Sequence, residues 1–158
     1  MGTVMFYHLT QSAAADTLAN IAPRALQQGW RVMVRGTDPE ALERLDAALW
    51  LKSGDDGFLP HGIEGGPHDA DQPILLGLGS PVNRARVLAL VDGAGATDAE
   101  IAAMERVWVL FDGTDTDRVQ AARALWKTVT AAGHPAQYWS EDGGRWEKKA
   151  ESPAVDKV

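Results

Sequence analysis

The sequence predicts an α/β fold, a single domain built on one mainly parallel sheet with covering helices. Three observations carry that expectation. Runs such as Ile74-Leu75-Leu76-Gly77-Leu78 and Val107-Trp108-Val109-Leu110-Phe111 have strand length without polar alternation. Strands buried on both faces read this way. Helical stretches alternate with the early strands, as parallel crossovers require. The 158 residues suffice for one proper core, and no linker or repeat divides them.

The elements follow in order. Val4-Met5-Phe6-Tyr7-His8-Leu9 reads as a buried strand. Residues 13–28 form a helix with Leu18, Ile21, Ala22 and Leu26 on one face; Pro23 kinks it and Gly29 stops it. Arg31-Val32-Met33-Val34 is the second strand. Asp38 then supplies an N-cap and Pro39 the first helical position, and Leu42, Leu45 and Leu49 form the buried stripe of a helix ending near Leu51. Trp50 lies outside that stripe. Residues 52–73, rich in Gly, Asp and Pro, read as one long irregular connection.

Strand-length runs follow at 74–78 and 87–91, with the basic turn Asn83-Arg84-Ala85-Arg86 between them. Asp98 is expected to cap a short helix through Met104, and Val107 to Phe111 form a further core strand. A long helix is expected from about Asp115 to Ala132, stopped by Gly133, with Val119, Ala122, Trp126 and Val129 facing the core. Gln137-Tyr138-Trp139 reads as a last strand at the sheet edge. From Lys148 the charged, Pro-containing sequence suggests disorder, so the domain is taken as residues 1–147 and the tail as 148–158.

Composition narrows the function. Hydrophobic content of 45% and charged content of 23% are those of an ordinary soluble globular protein. The net charge of -7 opposes general nucleic-acid binding, which needs clustered Lys and Arg. No cysteine is present, which excludes disulfides, thiolate metal sites and a cysteine nucleophile. No apolar run reaches membrane-spanning length. Met1-Gly2-Thr3-Val4 leads into a strand with no basic region before an apolar core, which argues against a secretory signal. A cytoplasmic location is expected.

The search for catalytic residues comes back empty. Asp92-Gly93 and Asp112-Gly113 sit at strand ends, where open α/β sheets bind ligands. Val109-Leu110-Phe111-Asp112-Gly113-Thr114 is similar to the Asp-x-Asp-Gly-Thr loop of haloacid-dehalogenase-like phosphatases. Leu110 occupies the place of the nucleophilic Asp, however, so the covalent step is lost. Both Asp residues are read as opening turns or capping helices. His61, His68, Asp69 and Asp71 share one loop, but their spacing matches no standard metal site. Gly77-Leu78-Gly79-Ser80-Pro81 is no dinucleotide fingerprint, and no phosphate loop is present. No enzyme activity, cofactor or metal is expected; the rival readings are a degenerate α/β hydrolase-like enzyme using Asp92, Asp112 or a metal at His61/His68, and a direct single-stranded nucleic-acid-binding module using Arg84, Arg86, Arg123 and Lys127.

A recognition surface fits the residues better. Arg123 and Lys127 lie one turn apart at the exposed border of the long helix's core stripe. Trp50 ends its helix off-stripe, and Phe58 follows in the loop. If these come together, aromatic walls with a basic rim suit an acidic peptide that ends in an aromatic residue and a free carboxylate.

The chain resembles the chi subunit family of bacterial DNA polymerase III, clamp-loader accessory proteins. The resemblance runs along nearly the whole domain. It rests on Phe6-Tyr7-x-Leu9, Gly29-Trp30-Arg31-Val32, Leu45-Asp46-x-x-Leu49-Trp50 and Phe58-x-Pro60-His61, then Pro73 and Arg84-x-Arg86 before strands, and Ala132-Gly133. It implies a Rossmann-like three-layer fold without nucleotide or catalysis. It also implies an adaptor that binds the acidic C-terminal tail of single-stranded DNA-binding protein, and the clamp-loader psi subunit where one exists. Direct DNA contact is expected to be weak or indirect, and no membrane is involved. By position, Trp50 and Phe58 match family pocket residues, and Arg123 and Lys127 match basic positions on the tail-binding helix. A third basic position of the family falls near Val119, with Arg118 adjacent but pointing differently. The residues after Trp139, including Glu141-Asp142-Gly143-Gly144, depart from the family's short ending.

Overall fold

Strand β1 (Thr3–Leu9) is followed by α1 (Ala14–Gln27), β2 (Val32–Arg35), α2 (Pro39–Ser53), β3 (His61–Ile63) and β4 (Ile74–Gly77). Then come β5 (Val87–Leu90), α3 (Asp98–Ala103), β6 (Arg106–Asp112), α4 (Thr116–Ala131), β7 (Ala136–Ser140) and β8 (Glu147–Ser152). This computed structural model describes residues 2–53, 61–141 and 143–153. The strands make one sheet in the order β3-β4-β2-β5-β6-β1-β7-β8. All pairs are parallel except β7 with β8. The expected α/β class with a mainly parallel sheet is what the chain forms.

Alternation along each strand divides the core into two layers. Tyr7, Leu9, Val32, Val34, Trp108 and Leu110 point to one face, where Leu18 and Ala22 of α1 and Leu42 and Leu49 of α2 cover them. Phe6, Met33, Leu75, Val107 and Val109 point to the other, under Ile101 of α3 and Ala122 and Val129 of α4. Helices on both faces leave the central strands no solvated side. Val32, Met33, Val34, Val87, Leu88 and Ala89 accordingly show no exposure, which explains their uniformly apolar sequence. α1 and α4 stop at Gly29 (φ 81°) and Gly133 (φ 90°), left-handed positions that a side chain would strain.

Four expectations need correction. The connection 52–73 is not wholly irregular: His61–Ile63 form β3, parallel to β4. Three residues are too few to show a period, and the open edge of β4 supplies the pairing. The cap of α3 is Thr97, not Asp98. Thr97 Oγ1 accepts from the Glu100 N–H at 3.1 Å, and the Glu100 carboxylate accepts from the Thr97 N–H at 3.0 Å, a reciprocal capping box. β7 is not the edge strand, and the chain from Lys148 is not wholly disordered. Residues 147–152 form β8, antiparallel to β7, because an unpaired edge offers a ready ladder of N–H and C=O groups. Residues 154–158 lie outside the described residues.

Asn83 in the basic turn is fully buried. Its amide donates to the Val32 carbonyl at 3.1 Å and the Gln72 carbonyl at 2.9 Å. Among the described residues no helix is long and apolar enough to cross a membrane.

Candidate functional site

α4 carries the basic pair. Asp115 caps it, its carboxylate accepting from the N–H groups of Asp117 and Arg118. Ala122 and Val129 are buried beneath it, with Val119, Leu125 and Trp126 packed alongside. Arg123 and Lys127 are exposed. Each lies four residues beyond the last on the line from Val119, so they border the flank that carries Val119 and Trp126. That flank faces β1 and β7: the Trp126 ring lies 5.4 Å from Phe6 and 6.1 Å from Tyr138, centroid to centroid. Tyr138 packs further on Phe6 and Phe111, and its hydroxyl lies 2.7 Å from His8 Nδ1. Two cations one turn apart thus stand beside a half-buried aromatic cluster. Among the described residues no carboxylate lies within ion-pair distance of either.

Trp50 is not part of this arrangement. It ends on α2, which packs on the opposite face of the sheet. It is 53% exposed, outside the leucine stripe as expected, and Leu51 beside it is 84% exposed. Its ring packs 4.2 Å from that of His61 on edge strand β3. The buried His61 ring in turn reaches the Asp46 carbonyl at 3.2 Å. Five inter-strand spacings, about 24 Å, separate β3 from β1 under α4. Trp50 and the pair Arg123/Lys127 therefore cannot wall one pocket. Helical periodicity gives the inward side of each helix but not which face of the sheet it covers. Phe58 lies outside the described residues. The aromatic neighbours of the basic pair are instead Trp126, read as core from its spacing, and Tyr138, read only as strand. A hint was available in the sequence, because Tyr138 opens an aromatic pair in a strand that follows the basic helix directly.

The crevice at the carboxyl ends of the strands is of the kind that takes nucleotides in open α/β sheets. Here it has a volume of about 490 Å³ and is lined by residues 9–14, Asp92, Asp112, Asp115 and Arg118 among others. The N–H groups of the loop entering α1 are already occupied there. The Glu141 carboxylate accepts from the N–H groups of Thr10, Gln11 and Ser12 and from the Ser12 hydroxyl. This is where the loop entering α1 would otherwise receive a phosphate. Asp115 fills the start of α4 in the same manner. The Asp112 carboxyl is held below its usual range by the Thr114 hydroxyl and N–H, a turn-forming role. Leu110 is 3% exposed and points into the core, so the phosphatase-like segment presents no nucleophile there. Among the described residues no three possible metal ligands converge.

Fold and surface together define an α/β domain on a mainly parallel sheet, with the loop N–H groups at its strand-end crevice held by Glu141 and a basic pair exposed on α4. The family model described as "DNA polymerase III chi subunit, HolC" matches residues 1–137. The DNA polymerase III subunit chi of Pseudomonas aeruginosa is 30% identical over 126 residues, covering 80% of this chain and 85% of that protein. The chain belongs to the DNA polymerase III chi subunit family. Tyr138, Glu141 and β8 lie beyond the segment that the family model matches.

Proposed function

We propose that this protein is a non-catalytic adaptor of the DNA polymerase III holoenzyme in the cytoplasm. It would bind the acidic C-terminal tail of single-stranded DNA-binding protein through Arg123 and Lys127. The observation that carries this reading is a basic pair with no ion pair among the described residues, beside Trp126 and Tyr138 on a chain of net charge -7. Guanidinium and ammonium groups receive the carboxylates, and the aromatic cluster offers an apolar contact for a terminal aromatic residue. The family supports an accessory role in DNA replication.

Trp50, with Phe58 nearby in sequence, would then belong to a second surface at the β3 edge. Its separation from α4 favours a different partner, the clamp-loader psi subunit where one is present. Two surfaces on opposite faces would let one small domain bridge two proteins. A direct nucleic-acid surface from Arg84, Arg86, Arg123 and Lys127 is less favoured. Arg86, in the bend before β5, is held by Glu105 at 2.6 Å.

Calorimetry with an acidic peptide ending in Phe, beside bare single-stranded DNA, tests the adaptor reading. Saturable, salt-sensitive peptide binding that Arg123→Ala weakens supports it. DNA binding with no peptide binding defeats it.

A further inference from the structure

A third surface on the α1 face has a different chemistry and is independent of the docking reading. Met5 and Tyr7 of β1, Arg24 of α1, Trp30, and Arg106 and Trp108 of β6 line an open cavity of about 380 Å³. That size lies within the range of small-molecule sites. The Arg106 guanidinium carbon sits 5.5 Å from the Trp30 ring centroid. Its Nη1 donates to the Glu105 carbonyl at 2.8 Å, while the Glu105 carboxylate is taken up by Arg86.

Among the described residues neither Arg24 nor Arg106 forms an ion pair. Two guanidinium groups without an ion pair among the described residues therefore face one aromatic-walled cavity on an acidic chain. The Tyr7 hydroxyl, on the same wall, donates to the Met5 sulfur at 3.9 Å, a weak acceptor. Arg24 also offsets the carbonyl end of α1, so an incoming anion meets a cation there.

We propose that this cavity binds a small organic anion carrying a planar ring, with the ring against Trp30 and Trp108 and the anionic oxygens on Arg24 and Arg106. The fork of each guanidinium suits a carboxylate or a phosphate. Two cations suffice for one compact head group and fall short of the track that an extended polyanion requires.

The test follows the indole N–H signals of Trp30 and Trp108 by NMR in the full chain. Phenylacetate and adenosine monophosphate are the probes, and phenylacetamide and adenosine the neutral controls. At least one probe should saturate with a dissociation constant of about 1 mM or tighter, and its neutral control should bind about 10-fold more weakly. Saturation by phenylacetate alone assigns a carboxylate head; saturation by the nucleotide alone assigns a phosphate. Arg24→Gln/Arg106→Gln should abolish the response. The single Arg24→Gln change, at an exposed position, should weaken it with the fold intact. Saturation by neither probe, equal binding of the neutral controls, or an unchanged response in Arg24→Gln overturns the proposal.

Discussion

Ser12 gives Glu141 both its backbone N–H, at 2.5 Å, and its hydroxyl, at 2.9 Å. The Gln11 N–H joins at 2.7 Å and the Thr10 N–H at 3.2 Å. One carboxylate that is 5% exposed thereby closes the loop entering α1 and fastens the segment leading to β8. Trp146, later in that segment, packs edge-on to Tyr7 at 5.5 Å.

Glu141→Gln should therefore destabilise the domain in a pH-dependent way. Burial raises the Glu141 carboxyl, but the N–H groups of Ser12, Gln11 and Thr10 and the Ser12 hydroxyl outweigh it, and the net shift is downward. The folded value lies below the unfolded one, so the stabilisation is complete above about pH 4.3 and fades as pH falls through the folded value. Denaturant melts should show a loss of about 1.5–3 kcal/mol at neutral pH, narrowing in acid. An equal loss at every pH would mean that the charge plays no part.

Arg35 and Glu100 should behave as a tight pair. The guanidinium meets both carboxylate oxygens, at 3.0 and 2.5 Å. Its hydrogen bond is the main reason that the Glu100 carboxyl is lowered to about 2. The pair's stabilisation is thus full at neutral pH, declines once pH drops below the ordinary carboxylate range, and is gone once pH has fallen through about 2. Titration of the Glu100 side chain by NMR should give this low midpoint. In Arg35→Ala it should rise toward the ordinary carboxylate range.

Arg123→Ala and Lys127→Ala should leave stability within about 0.5 kcal/mol, because both side chains are exposed. Each should weaken acidic-peptide binding by ~1.5–3 kcal/mol, with a dependence on salt. Calorimetry on the two variants reads this directly. Unchanged affinity in both would reduce the basic border to a solvated helix face.

The two helix tryptophans should separate cleanly. Trp126→Ala removes contacts with Phe6 and Tyr138, and should destabilise by about 3 kcal/mol or more. Trp50→Ala, at a position 53% exposed, should cost less stability and leave acidic-peptide affinity unchanged, since Trp50 and α4 lie on opposite faces. Melts and peptide titrations of both variants decide this. A peptide-binding loss in a folded Trp50→Ala would bring back the single-pocket arrangement.

Much of this architecture was legible in the chain itself. Apolar runs such as Val87 to Leu90 marked buried parallel strands, and the Leu42/Leu49 spacing marked the inner side of α2. Trp50 was correctly set outside that stripe, and Gly29 and Gly133 marked helix ends. These are local properties, fixed by backbone geometry and side-chain period. Tertiary structure alone decided the rest. It placed α2 and α4 on opposite faces, parting Trp50 from Arg123 and Lys127, because period shows which side of a helix is buried but not against what. It paired polar residues 147–152 with β7, since a strand joined by backbone hydrogen bonds needs no apolar pattern. It also brought Glu141 across about 130 residues to Ser12, a contact set by the closing of the sheet and invisible in any local window.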